Sequence, residues 1–116
     1  MSDLKIDTVK SYSSGTVGRA LNTARTQHFV IDSPSGPNEA LTSGEAFLAG
    51  VSSCGVTLVE RHAQETGVPL TRMAVTIEGV RAVANPTVFQ SVTMRFELAG
   101  VSQAQADALV ETYKNR

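Results

Sequence analysis

Apolar positions along the chain follow two rhythms, one of period two and one near 3.6, and their order sets out the elements. Between Thr42 and Thr66 (TSGEAFLAGVSSCGVTLVERHAQET), Phe47, Val51, Cys54 and Leu58 recur at helical spacing on one face. Leu48, Gly55 and Val59 lie beside them, and so wide an apolar arc predicts a helix buried on most sides. Thr42 followed by Glu45 is a capping box. Gly67 stands where a left-handed C-cap belongs, and Pro69 blocks continuation.

Period-two segments flank this helix. Leu4 to Ser13 carries Ile6, Val9 and Tyr12 among polar residues and predicts a strand, closed by the turn Ser13-Ser14-Gly15. Thr16 to Leu21 predicts a second strand, and Ala24 to Asp32, ending in the β-rich run His28 to Ile31, a third. Ser33 to Leu41 is a loop broken by Pro34, Gly36 and Pro37. After the helix, Thr71 to Val80 puts Met73, Val75 and Ile77 on one side. Arg81 to Pro86 predicts a turn, and Thr87 to Leu98 puts Val88, Val92, Met94, Phe96 and Leu98 on one face. These alternating runs predict half-buried antiparallel strands. Ser102 and Gln105 form a second capping box, followed by the helical stripe Ala106, Leu109, Val110 and Tyr113. The order, three strands, a long helix, two strands and a helix, predicts an α+β fold in one domain spanning 1–116. The last helical pattern reaches Arg116 without a C-cap, so the natural chain is expected to continue beyond it.

The long helix also holds a run of small residues, Ala49, Gly50, Ser52, Ser53 and Gly55. A glycine inside a helix costs roughly 1 kcal/mol relative to alanine, and a close-packed second backbone would offset that cost. Cys54 lies in the middle of the run and is the only cysteine among 116 residues. On its residue type alone it is a small buried hydrophobe. His28 and His62 share no metal-ligand spacing with it, so no metal site is expected. Arg61 shares its face two turns on, about 10 Å away, too far for direct pairing.

Composition narrows the function classes. A net charge of -1 with no basic cluster argues against nucleic acid. No segment approaches the roughly 18 apolar residues of a membrane span, and MSDLKIDTVK has no secretory apolar core. A lone cysteine permits no intrachain disulfide within these residues, and the sum favours a soluble, cytoplasmic protein.

A strand ending in HFVID, a Gly/Pro loop, the helix EAFLAGVSSCGVTLVERHAQETGVPL and the strand MAVTIEG together resemble the OsmC/Ohr family of osmotically induced and organic-hydroperoxide-resistance proteins. The resemblance runs from about Arg19 to Arg116 and is most specific between Glu45 and Leu70. It implies an α+β OsmC-like fold, an antiparallel sheet packed on a long central helix, in an intertwined homodimer with two active sites at the interface. It implies a thiol-dependent peroxidase that reduces organic hydroperoxides and is regenerated by a dithiol, with no cofactor and no membrane or nucleic-acid partner. Cys54 matches the family's nucleophile, whose thiolate attacks the O–O bond to become a sulfenic acid. An assisting arginine matches Arg19, in Val-Gly-Arg-Ala, with Arg25 as its rival. The glutamate that holds the arginine matches Glu45. Those types suit the chemistry, since a nearby cation lowers a thiol pKa and a buried arginine needs a carboxylate.

Two departures follow. The family's resolving cysteine, usually Cys-Pro after the last helix, is absent through Arg116. Active peroxidases carry the glutamate ten residues before the cysteine, a position held here by Gly44, whereas Glu45 stands nine before. Nine residues are about two and a half helical turns, which turns Glu45 away from Cys54 and leaves its role as cap or as catalytic carboxylate open. The second reading of the chain is a non-catalytic OsmC-like dimer that binds a small apolar ligand at its interface, with Cys54 structural.

Overall fold

A computed structural model of the chain describes residues 3–114. The element order is β1 (Lys10–Ser13), β2 (Arg19–Ala24), β3 (Gln27–Asp32), α1 (Ser43–Thr66), β4 (Arg72–Ala82), β5 (Asn85–Ala99) and α2 (Gln103–Lys114). This is the expected order of an α+β chain. Two compact units divide between Phe47 and Leu48, inside α1.

The first unit is built on the antiparallel sheet β1-β2-β3. Only Lys10–Ser13 of the expected first strand pairs; the alternating stretch Leu4 to Val9 takes no regular structure. Its apolar side chains are open, Leu4 and Ile6 more than three-quarters so. A period-two pattern needs a ladder partner to become a strand, and within this unit that stretch has none. The second strand begins at Arg19, not Thr16. Gly18 turns the chain at φ 88°, and a Cβ there would lie 2.8 Å from the Gly36 Cα, so the position requires glycine. Ala24 closes β2 instead of opening β3, because Arg25 and Thr26 form a tight hairpin turn with Arg25 at φ 57°.

The second unit packs α2 and the C-terminal part of α1 against the hairpin β4-β5. Its centre is Val59, Ala63 and Leu109, with Val68, Leu70, Met73, Phe96, Leu98 and Tyr113 around it. Met73↔Leu98, Val75↔Phe96 and Ile77↔Met94 are facing pairs, so the apolar alternation of both strands lands on one face. The turn is narrower than Arg81 to Pro86: Ala82 pairs with Asn85, and register shifts on both sides of Arg81 accommodate the extra residues of β5. Gly67, at φ 73°, ends α1 as expected, and the Val68 amide donates back to the Ala63 carbonyl at 2.9 Å. Ser102 and Gln105 exchange hydrogen bonds at the start of α2.

The face that α1 turns to its own unit is Gly55, Val59 and Ala63, not the stripe through Cys54. A Cβ at Gly55 would meet Met94, Phe96 and Tyr113 side chains at 3.3 to 3.5 Å. Gly55 thus admits neighbours from its own chain. A Cβ at Gly50 would meet nothing within 4 Å.

Candidate functional site

The residues singled out from the sequence fall into three settings. Cys54 is a free thiol, exposed on α1. Its exposure removes the description of Cys54 as a buried apolar filler of its own chain. Gly50 and Thr57, at helical spacing from it, and the adjacent Ser53 are also exposed. The Thr57 hydroxyl donates to the Cys54 carbonyl and the Ser52 hydroxyl to the Ala49 carbonyl, each at 3.3 Å, so both are turned onto the helix backbone. One turn before the thiol, the Val51 carbonyl accepts the Tyr113 hydroxyl at 3.4 Å, which pins α2 to this stretch.

Glu45 is engaged at the start of α1. Its carboxylate accepts the Thr42 amide at 2.9 Å, and the Thr42 hydroxyl accepts the Glu45 amide at 3.1 Å. Both halves of the capping box are formed, which satisfies two of the amides a helix start leaves orphaned.

Arg19 is engaged more completely. Its Nε and Nη2 donate to the two oxygens of Asp32 at 2.7 and 2.8 Å, and Nη2 also donates to Glu39 at 2.9 Å. Asp32 is fully buried, and it accepts the Glu39 and Ala40 amides as well, at 2.9 and 3.1 Å. The carboxylate therefore ties β2 to the segment that leads into α1. The guanidinium hydrogen bonds pull the Asp32 carboxyl down to about 2, against the upward push of burial, and the two amides add to the pull. Asp32 and then Glu39 push the arginine above its ordinary value. The expected Arg19–Glu45 pairing is not formed; Arg19 holds Asp32 and Glu39. Arg25 sits exposed at the hairpin turn, without a carboxylate partner among the described residues.

Asp32 is the residue that sequence reasoning missed. The signal was an aspartate closing the apolar run FVI, opposite an arginine in the preceding strand. Among the described residues no three His, Cys, Asp or Glu side chains are placed to hold a metal ion. No described helix is long and apolar enough to cross a membrane.

Residues 36–116 match the family model for OsmC-like protein. The chain belongs to the OsmC family. The matched span holds α1 with Cys54 and Glu45, the hairpin and α2, but not β1 to β3. No curated protein is significantly similar in sequence. Solved OsmC-family structures share the fold at low identity. The OsmC-like protein from Mycoplasma pneumoniae superposes with a TM-score of 0.85 at 14% identity, covering 97% of this chain and 82% of its own. The organic hydroperoxide resistance protein OsmC from Legionella pneumophila gives 0.75 at 18%, covering 98% and 85%. The organic hydroperoxide resistance protein OhrB of Bacillus subtilis gives 0.68 at 16%, covering 97% and 86%. At such identities the likeness is one of fold, and it extends over the N-terminal strands that the family model leaves out.

Proposed function

We propose that this OsmC-family protein reduces organic hydroperoxides with Cys54 as nucleophile, as a cytoplasmic homodimer. The observation that carries the reading is an exposed thiol on the central helix. Two solved relatives in fold are named as organic hydroperoxide resistance proteins, which supports the same reading.

The chemistry is a two-electron transfer. The Cys54 thiolate attacks the distal oxygen of the hydroperoxide, the O–O bond breaks, and the alkoxide leaves as an alcohol after taking a proton. Sulfur is oxidised to the sulfenic acid while the peroxide is reduced. A dithiol then attacks the sulfenic sulfur, water leaves, and closure of the dithiol's own disulfide returns the thiol. Glu45 caps the start of the helix that carries Cys54, and Arg19, through Asp32, holds the segment that leads into that helix.

Second copies are proposed to cover the apolar surface that each chain leaves open. Phe47 on α1, Val80 on β4 and Val88 and Val92 on β5 are each more than two-fifths exposed. One equivalent of an alkyl hydroperoxide should add one oxygen to the protein, trappable by a dimedone reagent, and Cys54→Ser should take none. An unchanged intact mass under excess peroxide, with the protein folded, would sink the enzyme reading in favour of the ligand-binding dimer.

A further inference from the structure

Arg61 and Arg72 line one cavity of the second unit, and neither guanidinium has a partner among the described residues. Of the other described cations, Arg19 and Arg95 hold carboxylates, Lys114 pairs with Glu111, Arg81 lies over the Phe89 ring and Lys10 over the Tyr12 ring. Lys5 and Arg25 also lack a carboxylate partner among the described residues, but neither lines this cavity. The cavity measures about 470 Å³, within the range of small-molecule sites. Arg61 and Gln64 come from α1, Arg72 is the first residue of β4, and Thr71 immediately precedes it. Gln64 and Thr71 also keep their side-chain hydrogen-bonding groups unengaged. Its apolar lining is Ala63, Val68 and Leu70, which belong to the core or pack against it. Glu60 lines the same space and is the one opposing charge.

Arg61 and Arg72 are exposed at this cavity, and guanidinium groups without a carboxylate partner beside apolar surface can take an oxyanion. Each presents a planar fork that matches a carboxylate or phosphate bidentately and is weakly hydrated enough to bind beside apolar surface. We propose that this cavity binds an amphiphilic anion, a carboxylate or phosphate carried on a short alkyl body. The head group takes Arg61 and Arg72, with Gln64 and Thr71 as further donors, and the alkyl part covers Ala63, Val68 and Leu70.

Isothermal titration calorimetry of the full chain with octanoate and with octyl phosphate tests this, with octanol and inorganic phosphate as controls. Saturable binding of either anion is expected, weakened by salt, with both controls at least about tenfold weaker. The tighter of the two anions identifies the head group. Arg61→Gln and Arg72→Gln should each weaken binding about tenfold, and Glu60→Gln should tighten it by removing the opposing charge. Arg25→Gln, in the other unit, should leave the binding of either anion unchanged. Cys54→Ser should bind as the parent does, which separates this site from the peroxide chemistry. The proposal falls if neither anion saturates at millimolar concentration or octanol binds as well as octanoate. It falls equally if the double arginine variant, folded by circular dichroism, keeps the parent affinity.

Discussion

Arg19 and Asp32 face each other as the last pair of the β2–β3 ladder and are joined by two parallel hydrogen bonds, with the carboxylate fully buried. A bidentate pair of this kind fixes direction as well as distance. Asp32 spends its remaining acceptor capacity on the Glu39 and Ala40 amides, so one side chain sets the path from the sheet to α1. Removing either partner strands the other's charge.

The sign of the pH dependence follows from the depressed carboxyl. Asp32 binds its proton near 2 in the folded chain, against an ordinary value of 3.8. Between those values the unfolded chain holds more protons, so the stabilisation is complete above about 4 and fades as pH falls toward 2. Asp32→Asn should lower the melting temperature at neutral pH and flatten the melting profile across that acid window. An unchanged acid limb in the variant would show that other carboxylates set it.

Gly50 and Gly55 separate packing within the chain from packing between chains. Gly50 has open space where a Cβ would go, so in an isolated chain Gly50→Ala should gain roughly 1 kcal/mol from helix propensity alone. If a second α1 packs there, the same change should destabilise, and Gly50→Leu should shift the protein toward monomer in light scattering. Gly55→Leu should instead destabilise by about 1 to 3 kcal/mol whatever the oligomeric state, because Met94, Phe96 and Tyr113 already occupy the space. A Gly50→Leu protein that stays as stable and as large as a dimeric parent would remove Gly50 from the interface, and a parent that scatters light as a monomer would remove the homodimer.

Local signals carried furthest in the sequence. Both capping boxes and the Gly67 stop act within one helical turn, and the structure forms all of them. The β4–β5 alternation was legible because both strands bury the same face of one hairpin. Partners distant in sequence were not legible. Nothing in Thr16 to Leu21 announces that the strand waits for Arg19, because that boundary is set by the Gly18–Gly36 approach and by Asp32, thirteen residues after Arg19. The helical period found the stripe through Cys54, yet the inward face is Gly55, Val59 and Ala63. A helix apolar on most of its circumference does not say which side its own chain covers.

Glu45 offers a test that divides its two roles. Glutamine supports a capping box as glutamate does, since the amide oxygen still accepts the Thr42 amide. Glu45→Gln should hold stability within about 0.5 kcal/mol of the parent, whereas Thr42→Ala should cost about 1 kcal/mol. With the cap preserved, any fall in the rate of Cys54 oxidation by an alkyl hydroperoxide reports the carboxylate's charge. Stopped-flow oxidation at matched melting temperatures decides between them: an unchanged rate leaves Glu45 as cap alone.

The last prediction concerns what one cysteine can do. These 116 residues contain no second thiol to close a disulfide on the oxidised Cys54. The sulfenic acid therefore persists until an external dithiol or a second peroxide reaches it, and the exposed position of Cys54 leaves both routes open. With excess alkyl hydroperoxide and no dithiol, the mass should pass through one added oxygen to two, the irreversible sulfinic acid. Dithiol added at the one-oxygen stage should return the parent mass; added at the two-oxygen stage it should not. Cys54→Ser should show neither addition. Oxygen retained by Cys54→Ser would place the oxidation on methionine, of which the chain has three, and a mass that stops at one oxygen under excess peroxide would mean that Cys54 is shielded after its first turnover.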